Sequence, residues 1–92
     1  MIADLVVTFA IYRSGGVFLA VCPEFGAEAT GRSPEEAKEE ALAAVRRQLD
    51  TIAARGELAD FLADAGFVID GGVLRTERRL IGIDEGRVAV PF

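Results

Sequence analysis

The chain contains no histidine and no tryptophan, and it has a single cysteine, Cys22. Without histidine, the commonest general base and the commonest transition-metal ligand are both missing. Zinc would have to be held by one thiolate and carboxylates, a poor donor set for that ion. A Cys–His nucleophilic pair is impossible within one chain. The lone cysteine has no intrachain disulfide partner. No apolar run approaches membrane-spanning length. No charged start followed by an apolar stretch marks a leader, so the sequence reads as cytoplasmic. Basic residues are few: 10 Lys and Arg stand against 15 Asp and Glu, a net charge of −5. That balance disfavours nucleic acid and anionic membranes, whose phosphates need neutralising, and it suits a basic protein partner. The chemistry still open to the chain is carboxylate chemistry with Mg²⁺ or Mn²⁺.

The 92 residues are 51% apolar and 27% charged. This is the composition of one globular domain, residues 1–92, and not of a disordered chain. A domain this small has much surface for its volume, and half-apolar content is hard to hide in one small core. Association is the natural outlet, so a homo-oligomer is expected.

Along the chain, DLVVTFAIY at residues 4–12 is rich in β-branched and aromatic residues and reads as one strand, apolar on both faces and therefore covered on both. Arg13-Ser14-Gly15-Gly16 reads as a hairpin loop, and residues 17–22 return antiparallel until Pro23, which has no N–H for the ladder. A short third strand spans about Ala27 to Thr30 and ends at Gly31. Ser33 then offers an N-cap, Pro34 suits the first helical position, and Glu36 stands three residues on, as in a capping box. From Pro34 to about Ala54, the residues Ala37, Ala41, Val45, Leu49 and Ile52 form one helical stripe, with acids crowding the first half and Arg46, Arg47 and Arg55 the end. Gly56 is placed to end the helix. A second short helix is expected over residues 57–65, stopped by Gly66. After it the pattern returns to period two: Phe67 to Ile69, a turn at Asp70-Gly71-Gly72, Val73 onward, and a further hairpin of Leu80 to Ile83 and Arg87 to Val90 about Asp84-Glu85-Gly86.

A dozen of these positions, Gly15, Gly16, Phe18, Pro23, Glu24, Phe25, Gly26, Gly31, Ser33, Glu35, Glu36 and Ala37, form a spaced pattern. It resembles the HicB-like family, the antitoxin half of bacterial HicA–HicB toxin–antitoxin pairs, and it covers residues 4–55. The resemblance implies a partial ribonuclease H-like fold: an α+β domain with a mostly antiparallel sheet, a β-β-β-α core and one long helix packed on the sheet. It also implies a non-catalytic protein that covers the active site of a small basic HicA-like RNA-cleaving toxin, and it implies oligomers. Many members of the family add a helix-turn-helix or ribbon-helix-helix module. Residues 56–92 instead read as a short helix followed by strands, so direct DNA binding is not expected. Edge strands in that extension favour a dimer formed through the C-terminal strand region.

The expected partner-binding residues are Glu24, Phe25, Glu28, Glu35 and Glu36. Phe25, at a loop tip, is either an interface anchor or a ring folded back on the core; the general preference of aromatic rings for burial favours the second. The acids would steer a basic partner, while a solvated helix face explains Glu35 and Glu36 equally well. Asp4 and Glu24 are candidate remnants of a metal-dependent nuclease site, but the first strand offers only Asp4, at its edge, and is uncharged beyond it, so no catalytic residue, metal or cofactor is expected. Arg75, Arg78, Arg79 and Arg87 are interrupted by acids and carry no interleaved aromatic ring, which reads as a solvated or salt-bridged face. Cys22 reads as a buried structural thiol. A same-fold scaffold or regulator with another partner is the alternative to an antitoxin, and a metal-dependent nuclease is the remoter one.

Overall fold

A computed structural model describes residues 4–92. The chain is α+β; its described residues form six strands in two three-stranded sheets and two helices: β1 (Asp4–Leu5), β2 (Ala10–Ser14), β3 (Val17–Cys22), β4 (Ala27–Gly31), α1 (Pro34–Ala54), α2 (Leu58–Asp64), β5 (Phe67–Asp70) and β6 (Val73–Thr76). One sheet has the order β2-β3-β4, all antiparallel, and the other has the order β1-β6-β5, with β1 parallel to β6.

The β2–β3 hairpin turns on Gly15–Gly16 alone, with Gly15 at φ 64°, so Arg13 and Ser14 are strand residues paired with Phe18 and Val17. The β5–β6 hairpin turns on Gly71–Gly72, at φ 61° and 86°. Positive φ at both central positions is the geometry that suits the right-handed twist of the flanking strands.

Helix α1 lies mainly over β4 and β3. Its buried stripe is Ala37, Ala41 and Val45, set on one face by the four-residue spacing. Small side chains on that stripe let the helix descend onto Ala20 of β3, and Phe9, Phe18 and Ala29 close around this centre. Gly31 is where the approach is tightest. A Cβ there would stand 2.5 Å from the Ala37 amide nitrogen and 2.9 Å from the Glu36 carbonyl carbon. The helix begins as the sequence predicts: the Ser33 hydroxyl accepts the Glu36 N–H at 3.1 Å and Pro34 fills the first turn. It ends at the Arg55 cap, followed by Gly56 at φ 70°.

Two expectations are corrected. Residues 4–12 are not one strand covered on both sides. They form β1 and the start of β2, which belong to different sheets and lie at the edge of each, with residues 6–9 outside both ladders. Hydrogen bonding explains the break: the Val6 N–H goes to the Leu74 carbonyl, and the Thr8 N–H goes to the Glu24 carboxylate instead of to a neighbouring strand. The hairpin expected at Leu80–Val90 is also absent as strand; residues 77–92 enter no ladder. Alternation marked these residues as strand-like, but they pair neither with each other nor with the edges that β2, β4 and β5 leave open.

Candidate functional site

Val7 faces the second half of α1, and Phe9 packs on the core centred on Ala20. Thr8, between them, turns the other way and meets Glu24 from the loop after β3. The Thr8 hydroxyl lies 3.0 and 2.8 Å from the two carboxylate oxygens, and its N–H lies 3.1 Å from each. The Cys22 thiol donates to Oε1 of the same carboxylate at 3.4 Å. Glu24 thus accepts from a backbone amide, a hydroxyl and a thiol, and it ties the β3–β4 loop to the break between β1 and β2. Charge-assisted hydrogen bonds of this kind are about twice as strong as neutral ones.

This knot opens into a cleft of about 710 Å³, bounded by Thr8, Glu24, Gly66 and the Thr76–Leu80 segment. Arg78 and Arg79 stand at its wall beside Glu77, so its electrostatics are mixed. Arg79 is ion-paired with Asp70 across the β5–β6 hairpin, and the Thr76 hydroxyl donates to the Arg78 carbonyl at 2.7 Å. Two members of the arginine cluster are therefore tied into the fold.

Cys22 is fully buried, and burial is the main reason its thiol is pushed up to about 11. The backbone amide of Phe25 pulls partly the other way, while the hydrogen bond to Glu24 and its negative charge push further up. At neutral pH the sulfur stays protonated, as a donor and not a nucleophile. Among the described residues, no three His, Cys, Asp or Glu side chains stand together as a metal site requires. Asp4 and Glu24 line different clefts: Asp4 borders a second groove of about 350 Å³, floored by Leu5, Val7, Val45 and Leu49.

The five expected partner-binding residues fall into two groups. Glu24 is committed to Thr8, and Phe25 folds back, its ring 5.7 Å from that of Phe61 and 5.8 Å from that of Phe67. Together these rings clamp the β3–β4 loop onto α2 and β5. Glu28, Glu35 and Glu36 are exposed: Glu28 sits on the outer strand β4, and the other two in the first turn of α1, which starts three residues after β4 ends. Glu39 and Glu40 extend the exposed acids along the helix. Thr8 was not among the sequence candidates. Its signal was that it is the only polar residue between Leu5 and Ile11.

No family model matches this chain, and comparison with curated proteins and with solved structures found no match. Among the described residues, no helix is long and apolar enough to cross a membrane.

Proposed function

We propose that this protein is a non-catalytic, antitoxin-like binder that occludes a small basic HicA-type ribonuclease. The observation that supports it is the outer rim formed by β4 and the start of α1. Glu28, Glu35, Glu36, Glu39 and Glu40 are exposed there, and among the described residues none of the five is in an ion pair. Five exposed acids against Arg32 and Lys38 leave this strand–helix corner acidic, which raises the encounter rate with a basic protein and selects against acidic ones. The spaced pattern of residues 15–37 supports the same reading, because its Gly31 and its Ser33 cap build this corner. With Phe25 held in the aromatic clamp, the contact moves off the loop tip and onto the rim.

The test is co-expression with the product of the neighbouring gene, followed by pull-down and an RNA-cleavage assay. The expected result is a stable complex in which cleavage is suppressed. Lysine at both Glu35 and Glu36 is expected to lower the association rate by about tenfold or more, with the salt dependence reduced to match. A neighbouring small basic ribonuclease that neither binds nor is inhibited overturns the reading. The second reading, a scaffold or regulator of the same fold, is favoured by the apolar C-terminal segment, which gives the molecule a binding surface separate from the acidic rim.

A further inference from the structure

Antiparallel strands exchange both backbone bonds at every second pair of facing residues. The two-residue turn at Gly15–Gly16 makes Ser14 and Val17 such a pair, and Tyr12–Leu19 and Ala10–Val21 follow in phase. The β3 residues between them, Phe18, Ala20 and Cys22, turn their N–H and C=O groups to β4, where they face Gly31, Ala29 and Ala27. Glu28 and Thr30 therefore direct their backbone groups away from β3, out of the edge of the sheet. Both residues are exposed, and among the described residues this edge has no further backbone partner.

The same parity opens Ile11 and Arg13 on β2, and Phe67 and Ile69 on β5, where Asp70 and Val73 flank the Gly71–Gly72 turn. Charge separates the three edges. The β2 edge carries Arg13, and the one acid of β5, Asp70, is taken up by Arg79. Residues 27–40, in contrast, carry five acids against Arg32 and Lys38, a net −3. A second copy of β4 is a poor occupant: the longest overlap sets the two Glu28 carboxylates diagonally across one face of the ladder, where like charges repel. An extended basic segment meets no such conflict and is drawn to this edge by its charge.

The two faces of β4 say what such a segment carries. Ala29 lies on the face packed under α1, and Ala27 and Gly31 share that face by alternation. Glu28 and Thr30 share the other. An added strand would set Arg or Lys beside Glu28, and apolar side chains beside the small residues under the helix. We infer that β4 is a strand-accepting edge, on which an extended basic segment of the partner continues the β2-β3-β4 sheet by bonding to the Glu28 and Thr30 backbone. Main-chain bonds give such a strand its affinity and alternate side chains its specificity. The partner's identity as a ribonuclease rests on the antitoxin-like reading above, whereas the open edge rests on the sheet alone.

Amide hydrogen exchange on the wild-type protein, free and bound to the ribonuclease of the neighbouring gene, tests it. In the free protein the Ala29 amide is protected by β3, while those of Glu28 and Thr30 exchange fast. Binding is expected to slow Glu28 and Thr30 by about tenfold or more and to change Ala29 little. Thr30→Pro removes only an outward N–H, which an edge strand tolerates, so its dichroism is kept while its affinity falls about tenfold or more. Thr30→Val keeps the N–H and binds as wild type. Where proline disturbs the fold, the exchange measurement decides. A complex in which Glu28 and Thr30 still exchange fast overturns strand addition and leaves the antitoxin-like reading standing, as does a folded Thr30→Pro protein that binds at full affinity. Slow Glu28 and Thr30 amides in the free protein overturn the open edge. A wild-type protein that does not bind the ribonuclease overturns the antitoxin-like reading, and this inference falls with it.

Discussion

Replacing Gly31 with alanine tests the packing of α1 on the sheet. The added methyl would meet backbone on all sides: the Ala37 nitrogen at 2.5 Å, the Glu36 carbonyl carbon at 2.9 Å and the Ala37 Cα at 3.0 Å. None of these is the movable end of a side chain, so the first turn of the helix has to lift off β4. Overpacking of a well-filled site costs about 1–3 kcal/mol, and contact at 2.5 Å with backbone belongs at the upper end of that range. Alanine also reduces the freedom of the unfolded chain, which returns about 0.4–1 kcal/mol. The expected net loss is about 2 kcal/mol, a fall in Tm of about 8–16 °C for a domain of this size. Thermal and urea unfolding followed by circular dichroism measure it, with protein concentration held constant so that association does not enter the comparison. Gly16→Ala is the matched control, since a Cβ there meets nothing within 4 Å and no positive φ is required. Gly31→Ala within about 0.5 kcal/mol of wild type, the range of an ordinary surface change, would refute the close approach of helix and strand.

Glu24→Ala removes the acceptor for the Thr8 amide and hydroxyl and is expected to cost about 1–3 kcal/mol, read by urea denaturation, with Thr8→Val costing less because the amide bond to Glu24 remains. Phe25→Ala opens a space between Phe61 and Phe67 and, because the ring is half-buried, is expected to destabilise by about 2–3 kcal/mol, below the range for a fully buried ring; an unchanged unfolding midpoint would show that the ring serves partners and not the fold. Cys22 is expected to react with a disulfide reagent at neutral pH far more slowly than after unfolding. Because its folded value of about 11 exceeds the unfolded 9.0, the unfolded state loses its proton first, so this thiol's contribution to stability is complete below pH 9 and disappears as the pH rises toward 11; the unfolding free energy measured across that window reads it. Ser33→Ala should lower stability by about 1 kcal/mol through loss of the Glu36 cap bond.

Where one residue type has one physical use, the sequence was easy to read. Ser33-Pro34 could start only a helix, and α1 spans Pro34–Ala54 as its periodicity predicts. Gly-Gly at 15–16 and 71–72 located both tight turns, and Gly66, at φ 82°, stopped α2. The strand at residues 4–12 was misread because its composition is continuous while its hydrogen bonds are not. Local propensity says nothing about a carboxylate sixteen residues away that takes the Thr8 amide out of the ladder. The site divided along the same line. The exposed acids Glu28, Glu35 and Glu36 were legible because exposed charge follows from helix and strand periodicity. The fates of Glu24 and Phe25 depend on Thr8, Phe61 and Phe67, which only the tertiary fold brings to them.

The C-terminal segment departs from expectation in a more informative way. In a sequence that specifies one structure, local pattern and global partner agree, and disagreement concentrates at functional places. Residues 67–76 show the agreement: alternation, a glycine turn and a formed hairpin, with β6 completed on its far side by β1. Residues 80–92 have the alternation and the turn glycine but form no ladder, and their apolar side chains are among the most exposed of the described residues. Composition alone does not explain this, because a solvated tail needs none of Ile81, Ile83, Val88, Val90 or Phe92, and each such residue left in water invites aggregation. Nor does the acidic rim explain it: residues 80–92 carry only Asp84 and Glu85 against Arg87, a net −1, and their exposed side chains are mostly apolar. A strand pattern that forms no ladder is where local pattern and tertiary partner disagree.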